Sequence, residues 1–324
     1  MSNTVTVPNV GRVQTLGFGL QTTKGTAVPA TVFFPVTGGS DLDPEFRYEE
    51  PDFADGNFFD AVPQLMGVYY QGKSRDFYPT QSLLQFLSLH QLRTEAGDYV
   101  AATGVITPQA AKNWHANMPL VPLTMEVNHP VVKLRVTDVQ IYEFRLNFQL
   151  RQFLTASLSF HGVKPENASG IGGFTFAPAT LAETDTFYNH RDLSVSWNGN
   201  LKAVETLTLT LTIGLAPVDG TGNGLFILGF ERNANISCTV EFTMAGSDSE
   251  LDAAFSDTGN SVIVDDFEVK LQKGSALWKV VGRAMIQRKT TPAGLDRVTT
   301  SYTAKFVSED NATPGFAVHV TPVP

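Results

Sequence analysis

The side chains able to cut, transfer or ligate are few in this sequence and poorly placed for joint work. His90, His115, His129, His161, His190 and His319 are scattered along the chain. There is no HExxH pair, no cysteine-based ligand pair and no close histidine and carboxylate triplet, so no zinc site is expected. His161, directly before Gly162, reads as the end of a strand. GIGGFTF and DGTGNG are rich in glycine but lack the lysine and hydroxyl of a phosphate loop, and neither follows a parallel βαβ unit, so both read as turns. TLGFGLQTTKGT ends in Lys24, Gly25 and Thr26 without the earlier glycine spacing that cradles phosphate, and no G-x-S-x-G elbow occurs. No catalytic, cofactor-binding or metal-binding residue is expected.

Carboxylates concentrate in residues 41–60, DLDPEFRYEEPDFADGNFFD. A calcium loop needs oxygen ligands at fixed positions around a central glycine, and the prolines spoil that register. A solvated acidic face is the plainer expectation. In a channel the same groups would keep a passing polyanion from sticking. The 23 phenylalanines include Phe144, Phe148, Phe153 and Phe160, expected in a sandwich core, because the interleaved lysine and arginine of a base-stacking groove are sparse. A glycosidase-type carboxylate pair can be drawn from any chain with 32 acids, so that chemistry has no specific support.

The elements available to position side chains are mostly strands. Charged residues are 17% of the 324, against a usual ~25%, and hydroxyl, amide and glycine residues fill the difference. The net charge is -9 with no basic tract, which argues against sequence-specific DNA reading. The single cysteine, Cys238 in NISCTVEF, has alternating neighbours that suggest a small buried side chain. The opening MSNTVTVPNVGRV has no basic region followed by an apolar run, and no stretch approaches ~18 apolar residues, so neither a signal peptide nor a membrane helix is expected. Assembly in the cytoplasm is the corresponding expectation.

Two short helices stand out. TQSLLQFLSLHQL places Leu83, Leu84, Leu87 and Phe86 on one broad side with Thr80 as N-cap. SDSELDAAF starts at Ser247 with Glu250 at capping-box spacing, then Leu251, Ala254 and Phe255 on one face. Around them, Phe144, Leu146, Phe148 and Leu150 alternate with Arg145, Asn147, Gln149 and Arg151, after a break near Asp138. Leu207, Leu209, Leu211 and Ile213 alternate with threonines, giving a second face that is polar and mostly uncharged. Residues 145–162 read as one long strand or two joined by a tight bend.

In both halves an alternating strand enters a short helix, and a strand with an aspartate near its end then leads to a longer strand or hairpin. This order predicts a diverged tandem duplication. The first domain is 1–165, with an N-terminal arm and an inserted loop at 93–120. A linker at 166–187, rich in glycine, alanine and proline, precedes the second domain at 188–324. The first 40 residues and the final TPGFAVHVTPVP read as arms or as edge strands.

The stretch LGFGLQTTKGTAVPATVFFPV, with Gly19, Gly25, Thr26 and Pro29 followed by Phe34 and Pro35, resembles the opening of tail tube proteins of long, non-contractile-tailed phages. MPLVPLTMEVN, VTDVQIYEFRLNFQLRQFLTASLSFHGVKPE and ELDAAF followed by VIVDDFEVKL resemble later parts of the same family, so the resemblance spans nearly the whole chain. It implies a mainly β fold of tandem tail-tube-like β-sandwich or barrel domains, each with a short flanking helix. It implies a structural virion protein, not an enzyme and without cofactors, that self-associates into rings stacked into a hollow tail tube through which DNA passes on ejection. Two-domain members look like trimers with pseudo-sixfold symmetry, and a hexamer is the alternative if the halves are not repeats. Tail tip, tape measure and terminator proteins are the implied partners, and the virion tail the implied location. Stacking is expected to use the N-terminal arm, the 93–120 loop and the C-terminal segment, around an acidic lumen. The competing readings are a virion carbohydrate-binding module presenting Tyr99 and Trp114 at a tip, or another accessory structural protein such as a tail terminator or decoration.

Overall fold

Strict alternation of apolar with short polar side chains leaves few ways to bury the apolar set except in sheets. A computed structural model of the chain accordingly shows a mainly β protein with two short helices. It describes residues 15–35, 41–49, 64–74, 76–92, 99–100, 105–106, 122–128, 133–165, 187–220, 224–233, 236–246, 248–258, 261–290, 299–309 and 315–321.

The first half contains β1 (Thr15–Leu20), β2 (Val32–Pro35), β3 (Asp41–Glu49), β4 (Gln64–Lys73), helix α1 (Gln81–Leu92), β5 (Tyr99–Val100), β6 (Val105–Ile106), β7 (Leu123–Asn128), β8 (Lys133–Gln149), β9 (Thr155–Gly162) and β10 (Lys164–Pro165). The second contains β11 (Leu193–Trp197), β12 (Asn200–Lys202), β13 (Val204–Thr212), β14 (Leu215–Val218), β15 (Gly229–Arg232), β16 (Ser237–Ala245), helix α2 (Ser249–Thr258), β17 (Ser261–Lys273), β18 (Ala276–Thr290), β19 (Thr299–Phe306) and β20 (Phe316–Val320).

β8 is the hinge of the topology. Its first part pairs with β7, which continues through β1 to β2, and with β10. Its second part pairs on one side with β9, which leads to β4 and β3, and on the other with β13 of the second half. From β13 the sheet runs on through β16, β19, β18 and β17 to β11 and β12. One sheet therefore crosses from the first half into the second without a gap. β18 divides its partners in the same manner, taking β20 along Trp278 to Gly282 and β19 beyond Ala284.

The break near Asp138 is a kink inside β8, because Asp138 takes φ 53° while pairing continues on either side. Residues 145–162 form two strands, β8 and β9, and Arg151 with φ 65° lies in the tight turn between them. The C-terminal segment is a strand: β20 pairs with β18 and buries Phe316, Val318 and Val320. Of the 93–120 loop, β5 and β6 are described, and β6 pairs with β20. The 166–187 linker, except Phe187, and residues 50–60 of the acidic segment lie outside the described residues, as does Trp114.

α1 does more than flank its own half. Thr80 caps it, its Oγ1 accepting from the Leu83 amide at 3.3 Å, and Leu83, Leu84 and Leu87 are buried as their spacing predicts. Phe86 stacks on Phe18 of β1 at 6.2 Å. On its other side the Trp278 indole of β18 donates to Ser88 Oγ at 3.0 Å. Gln81 holds the junction: its amide donates to the carbonyls of Leu277 and Thr321 at 2.9 and 3.1 Å, and its Oε1 accepts from the Tyr188 hydroxyl. A helix packed against strands of both halves of the sheet has little solvent-facing side, which is why polar Gln81 and Ser88 are buried.

α2 differs from its expected start. Asp248, not Ser247, is the N-cap, its Oδ1 accepting from the amides of Glu250 and Leu251 at 3.1 and 3.0 Å. Glu250 does not close a capping box, because the Lys202 ammonium lies 2.8 Å from its carboxylate and claims it. Phe255 stacks on Tyr302, which stacks on Phe242, and the aromatic chain continues through Phe267 to Phe306 and Phe316. Phe144, Phe148 and Phe160 are core residues, whereas Phe153 is 58% exposed, since it sits in the turn after β8, edge-on to Tyr78.

Gln81→Ala removes the hydrogen bonds to the Leu277 and Thr321 carbonyls and to the Tyr188 hydroxyl, while the Leu277 carbonyl keeps the Thr321 amide as donor. Lost hydrogen bonds of this kind cost ~0.5–1.5 kcal/mol each, so a loss of about 1–3 kcal/mol is expected in chemical denaturation. A change below about 0.5 kcal/mol would show that the junction contributes little.

Candidate interaction surface

The face of the long sheet turned away from the core is the candidate interaction surface among the described residues. Antiparallel register places partners on the same face, so rows can be followed across strands. One row runs Thr155, Asn147, Thr208, Glu241, Thr303 and Gln287. The next runs Ser157, Arg145, Thr210, Thr239, Lys305 and Met285. The opposite side chains, among them Phe144, Leu146, Leu209, Leu211, Val240 and Tyr302, are buried. Hydroxyl contacts cross the strands: Thr206 and Thr243 meet at 2.6 Å, and Thr208 donates to Asn147 Oδ1 at 3.4 Å. β-branched threonine suits a strand and offers a short, polar, uncharged tip.

Four of the basic groups on this face stand beside carboxylates. Lys279 meets Glu268 at 2.8 Å, Lys289 meets Glu241 at 2.9 Å, and Arg145 lies 3.6 Å from Glu143. Arg283 reaches Asp265 and Glu309. Lys270 and Lys305 have no carboxylate partner among the described residues. Basic groups and carboxylates are thus nearly matched at this face, although the whole chain carries -9. The acidity expected of a lumen is not a property of this face among the described residues.

The same device bends the sheet in each half. In β8 the kinked Asp138 accepts from the Gly25 amide at 2.8 Å, and Gly25 holds φ 78°. In β17 the bulge at residues 265–266 carries Asp266, which accepts from the amides of Asn198 and Gly199 at 2.5 and 3.0 Å. Asn198 and Gly199 have φ 49° and 71°, the left-handed region that glycine and asparagine enter most easily. Each aspartate thus ties the long strand after a helix to a turn earlier in its own half. Burial pushes the Asp138 carboxyl above its ordinary range, against the Gly25 hydrogen bond and the nearby Lys24 and Lys164 charges.

At one end of the face the β14–β15 hairpin covers the sheet. Val68 of β4 donates to the Leu225 carbonyl at 2.7 Å, and Phe230 of β15 stacks on His161 at 5.3 Å. Tyr142 stacks on the other side of the imidazole at 4.4 Å, and Tyr69 meets it edge-on at 5.6 Å. Burial in this aromatic box pushes the His161 pKa down to about 4. His161 does lie next to the end of β9, as expected, but its aromatic surroundings come from β4, β8 and β15, which no local pattern joins.

Among the described residues β3 pairs only with β4 and the short β12 only with β11, so both are open edges of the long sheet, as are β2, β5 and β10, each with a single partner strand. Leu201 on β12 is 75% exposed, while Lys202 beside it is pinned by Asp248 and Glu250 at 3.0 and 2.8 Å. Cys238 is buried on β16, and burial raises its thiol pKa. Among the described residues no group of three or more histidine, cysteine and carboxylate side chains is placed to hold a metal ion. Among the described residues no helix is long and apolar enough to cross a membrane. No protein-family model matches the chain, and no curated protein matches it.

Two titrations check these assignments. The native state holds the Asp138 proton more tightly than the unfolded chain, so its ionisation lowers stability as pH rises through the carboxyl range, and the cost persists at neutral pH. Asp138→Asn keeps the acceptor for Gly25 without the charge and is expected to be at least as stable as the parent at pH 7. Asp138→Ala loses the acceptor and costs about 1–3 kcal/mol; equal losses for both would contradict this. His161 has the opposite sign, since its folded pKa lies below the unfolded value of 6.5. Stability is full above that value and falls toward pH 4 with a slope of up to about 1.4 kcal/mol per pH unit. His161→Phe keeps the stack and should flatten that limb in denaturation curves recorded at successive pH values.

Proposed function

We propose that the chain is a structural virion protein that polymerises into stacked rings, forming the hollow tail tube of a long, non-contractile-tailed phage through which DNA passes during ejection. The observation that carries this reading is the continuous sheet from β3 to β12, open at both edges, with a core-forming face and a threonine-rich polar face. Open edges expose unpaired backbone groups, and closure into a barrel removes them.

The repeated aspartate device supports two related units in one chain, each with a strand, a short helix and a kinked long strand. Two such units per chain favour a ring of three copies over six. β13 meeting β8 inside the chain supplies a pattern for β3 meeting the β12 side of a neighbour. The connection is heterologous, so it closes into a ring when the rotation per copy divides a full turn and continues as an open helix when it does not. The polar face then lines the bore, and the helices lie outside it. Assembly occurs in the host cytoplasm on an initiating tip complex, with tape measure and terminator proteins as further partners.

Negative-stain electron microscopy of the concentrated protein tests the reading. Hollow tubes or rings of three subunits, each with two lobes, are the expected result. Sixfold rings of single-lobed subunits would keep the function and remove the trimer. Compact particles that fail to stack at any salt concentration, with or without an added tip complex, would overturn it.

A further inference from the structure

The strand pairings of the second half repeat those of the first. In chain order β1, β2, β3, β4, α1, β7, β8, β9 and β10 correspond to β11, β12, β13, β16, α2, β17, β18, β19 and β20. The first set pairs as β2–β1–β7–β8–β9–β4–β3, with β10 also on β8. The second pairs as β12–β11–β17–β18–β19–β16–β13, with β20 also on β18. The turn held by an aspartate follows β1 in one half and β11 in the other.

Against this repeat, one pairing lacks its counterpart. β13 has β16 on one side and β8 on the other, whereas the equivalent β3 has β4 alone. β2 and β12 are each paired once, and the second partner of β20 is β6, from an insertion that the second half lacks. The repeat therefore singles out β3 among the open edges. The equivalent of β8 is β18. β13 lies along the edge of β8 opposite β9, from Glu143 to Gln149. On β18 the edge opposite β19 is taken by β17 as far as Gln287, and residues 288–290 have no partner strand on that side among the described residues. β4, β9, β8, β13, β16 and β19 stand between β3 and β18 in the sheet, so the chain does not join these two edges itself.

We propose that β3 of one copy pairs antiparallel with the 288–290 edge of β18 in a second copy, repeating between chains the joint that β13 makes with β8 inside one. The inference rests on the ring reading above and names the strand, on the β12 side of the neighbour, that receives β3. Its direction follows from the internal joint. Thr212, at the C-terminal end of β13, lies on Glu143 nearest the kink of β8, and Thr206 lies on Gln149 at the far end. The C-terminal end of β3, Arg47 to Glu49, accordingly meets residues 288–290.

The sequences of the two edges fit each other better than either fits itself. β3 reads DLDPEFRYE, with four carboxylates and one arginine, and like charges set opposite each other destabilise an antiparallel pair. The open end of β18 starts with Arg288 and Lys289. Lys289 meets Glu241 at 2.9 Å yet stays 58% exposed, with room for a second carboxylate. Pro44 has no amide donor, and proline in sheets keeps to edges and limits pairing. It guards the first part of β3, while Phe46 to Glu49 contains no proline.

The test places E49C and K289C in separate chains, which are mixed, concentrated until they associate, and oxidised. Cys238 is buried and does not compete. A disulfide requires Cα atoms within about 4.4–6.8 Å, so this mixture is expected to give roughly tenfold more covalent dimer than either variant alone or E49C mixed with L201C on β12. R47C and Y48C, each mixed with K289C, cover a shift of register, and circular dichroism verifies each fold. In the parent, carbodiimide coupling of mixed light and nitrogen-15-labelled chains should join Lys289 of one copy to a β3 carboxylate of another, with Glu241 as the same-chain reference. Associated protein in which no β3 position reaches residue 289, linkage to β12 instead, or chains that do not associate at any concentration would overturn the proposal. Electron microscopy of the same preparations separates the two readings. Cross-linked oligomers without tubes keep the strand contact and reject the tail tube, while tubes without the cross-link keep the tube and reject the contact.

Discussion

The pairing of β8 with β13 is the contact on which the rest of the architecture depends. A strand of the first half, with core neighbours on both sides, offers its second edge to a strand that begins the second half. Backbone amides and carbonyls cannot be buried unpaired without large cost. Once Glu143 to Gln149 are satisfied by β13, the relative height and tilt of the two halves follow. The register also sets which side chains share a face. A slip of one residue would turn Leu207, Leu209 and Leu211 outward and the threonines into the core.

Two features reinforce that joint from the core side. α1 presses Phe86 on Phe18 and takes a hydrogen bond from Trp278, so the first half's helix seals the second half's sheet. β20 returns from the chain's far end to pair with both β18 and β6, and the Thr321 carbonyl just beyond it accepts from Gln81 of the same helix. The two aspartates act locally by comparison. Asp138 and Asp266 fix the point at which a long strand changes partners or bulges, each holding the amide of a left-handed turn.

What could be read from the sequence was whatever depends on near neighbours. The alternation at Leu207, Leu209 and Leu211, the helix side at Leu83, Leu84 and Leu87, the Thr80 cap and the irregularity at Asp138 all have causes within a few residues. Phe153 misled because residue type alone groups it with Phe144, Phe148 and Phe160, whereas the backbone has already turned at Arg151. The capping box expected to start at Ser247 is replaced by the Asp248 cap, and Lys202, distant in sequence, diverts Glu250. The aromatic box around His161 and the ion pairs of the polar face join residues from separate strands. Their signal is register, which no single stretch contains.

The proposed function extends to neighbouring copies what the chain does within itself. β8 accepts β13, and β3 is left with one open edge at the opposite end of the same sheet. The most direct measurement is hydrogen–deuterium exchange of the β3 amides in dilute and in assembled protein. The account predicts fast exchange for residues 41–49 when the chain is alone and strong protection on assembly, with β13 protected in both states. Assembly that leaves β3 exchanging as fast as in the isolated chain would contradict a sheet continued from copy to copy.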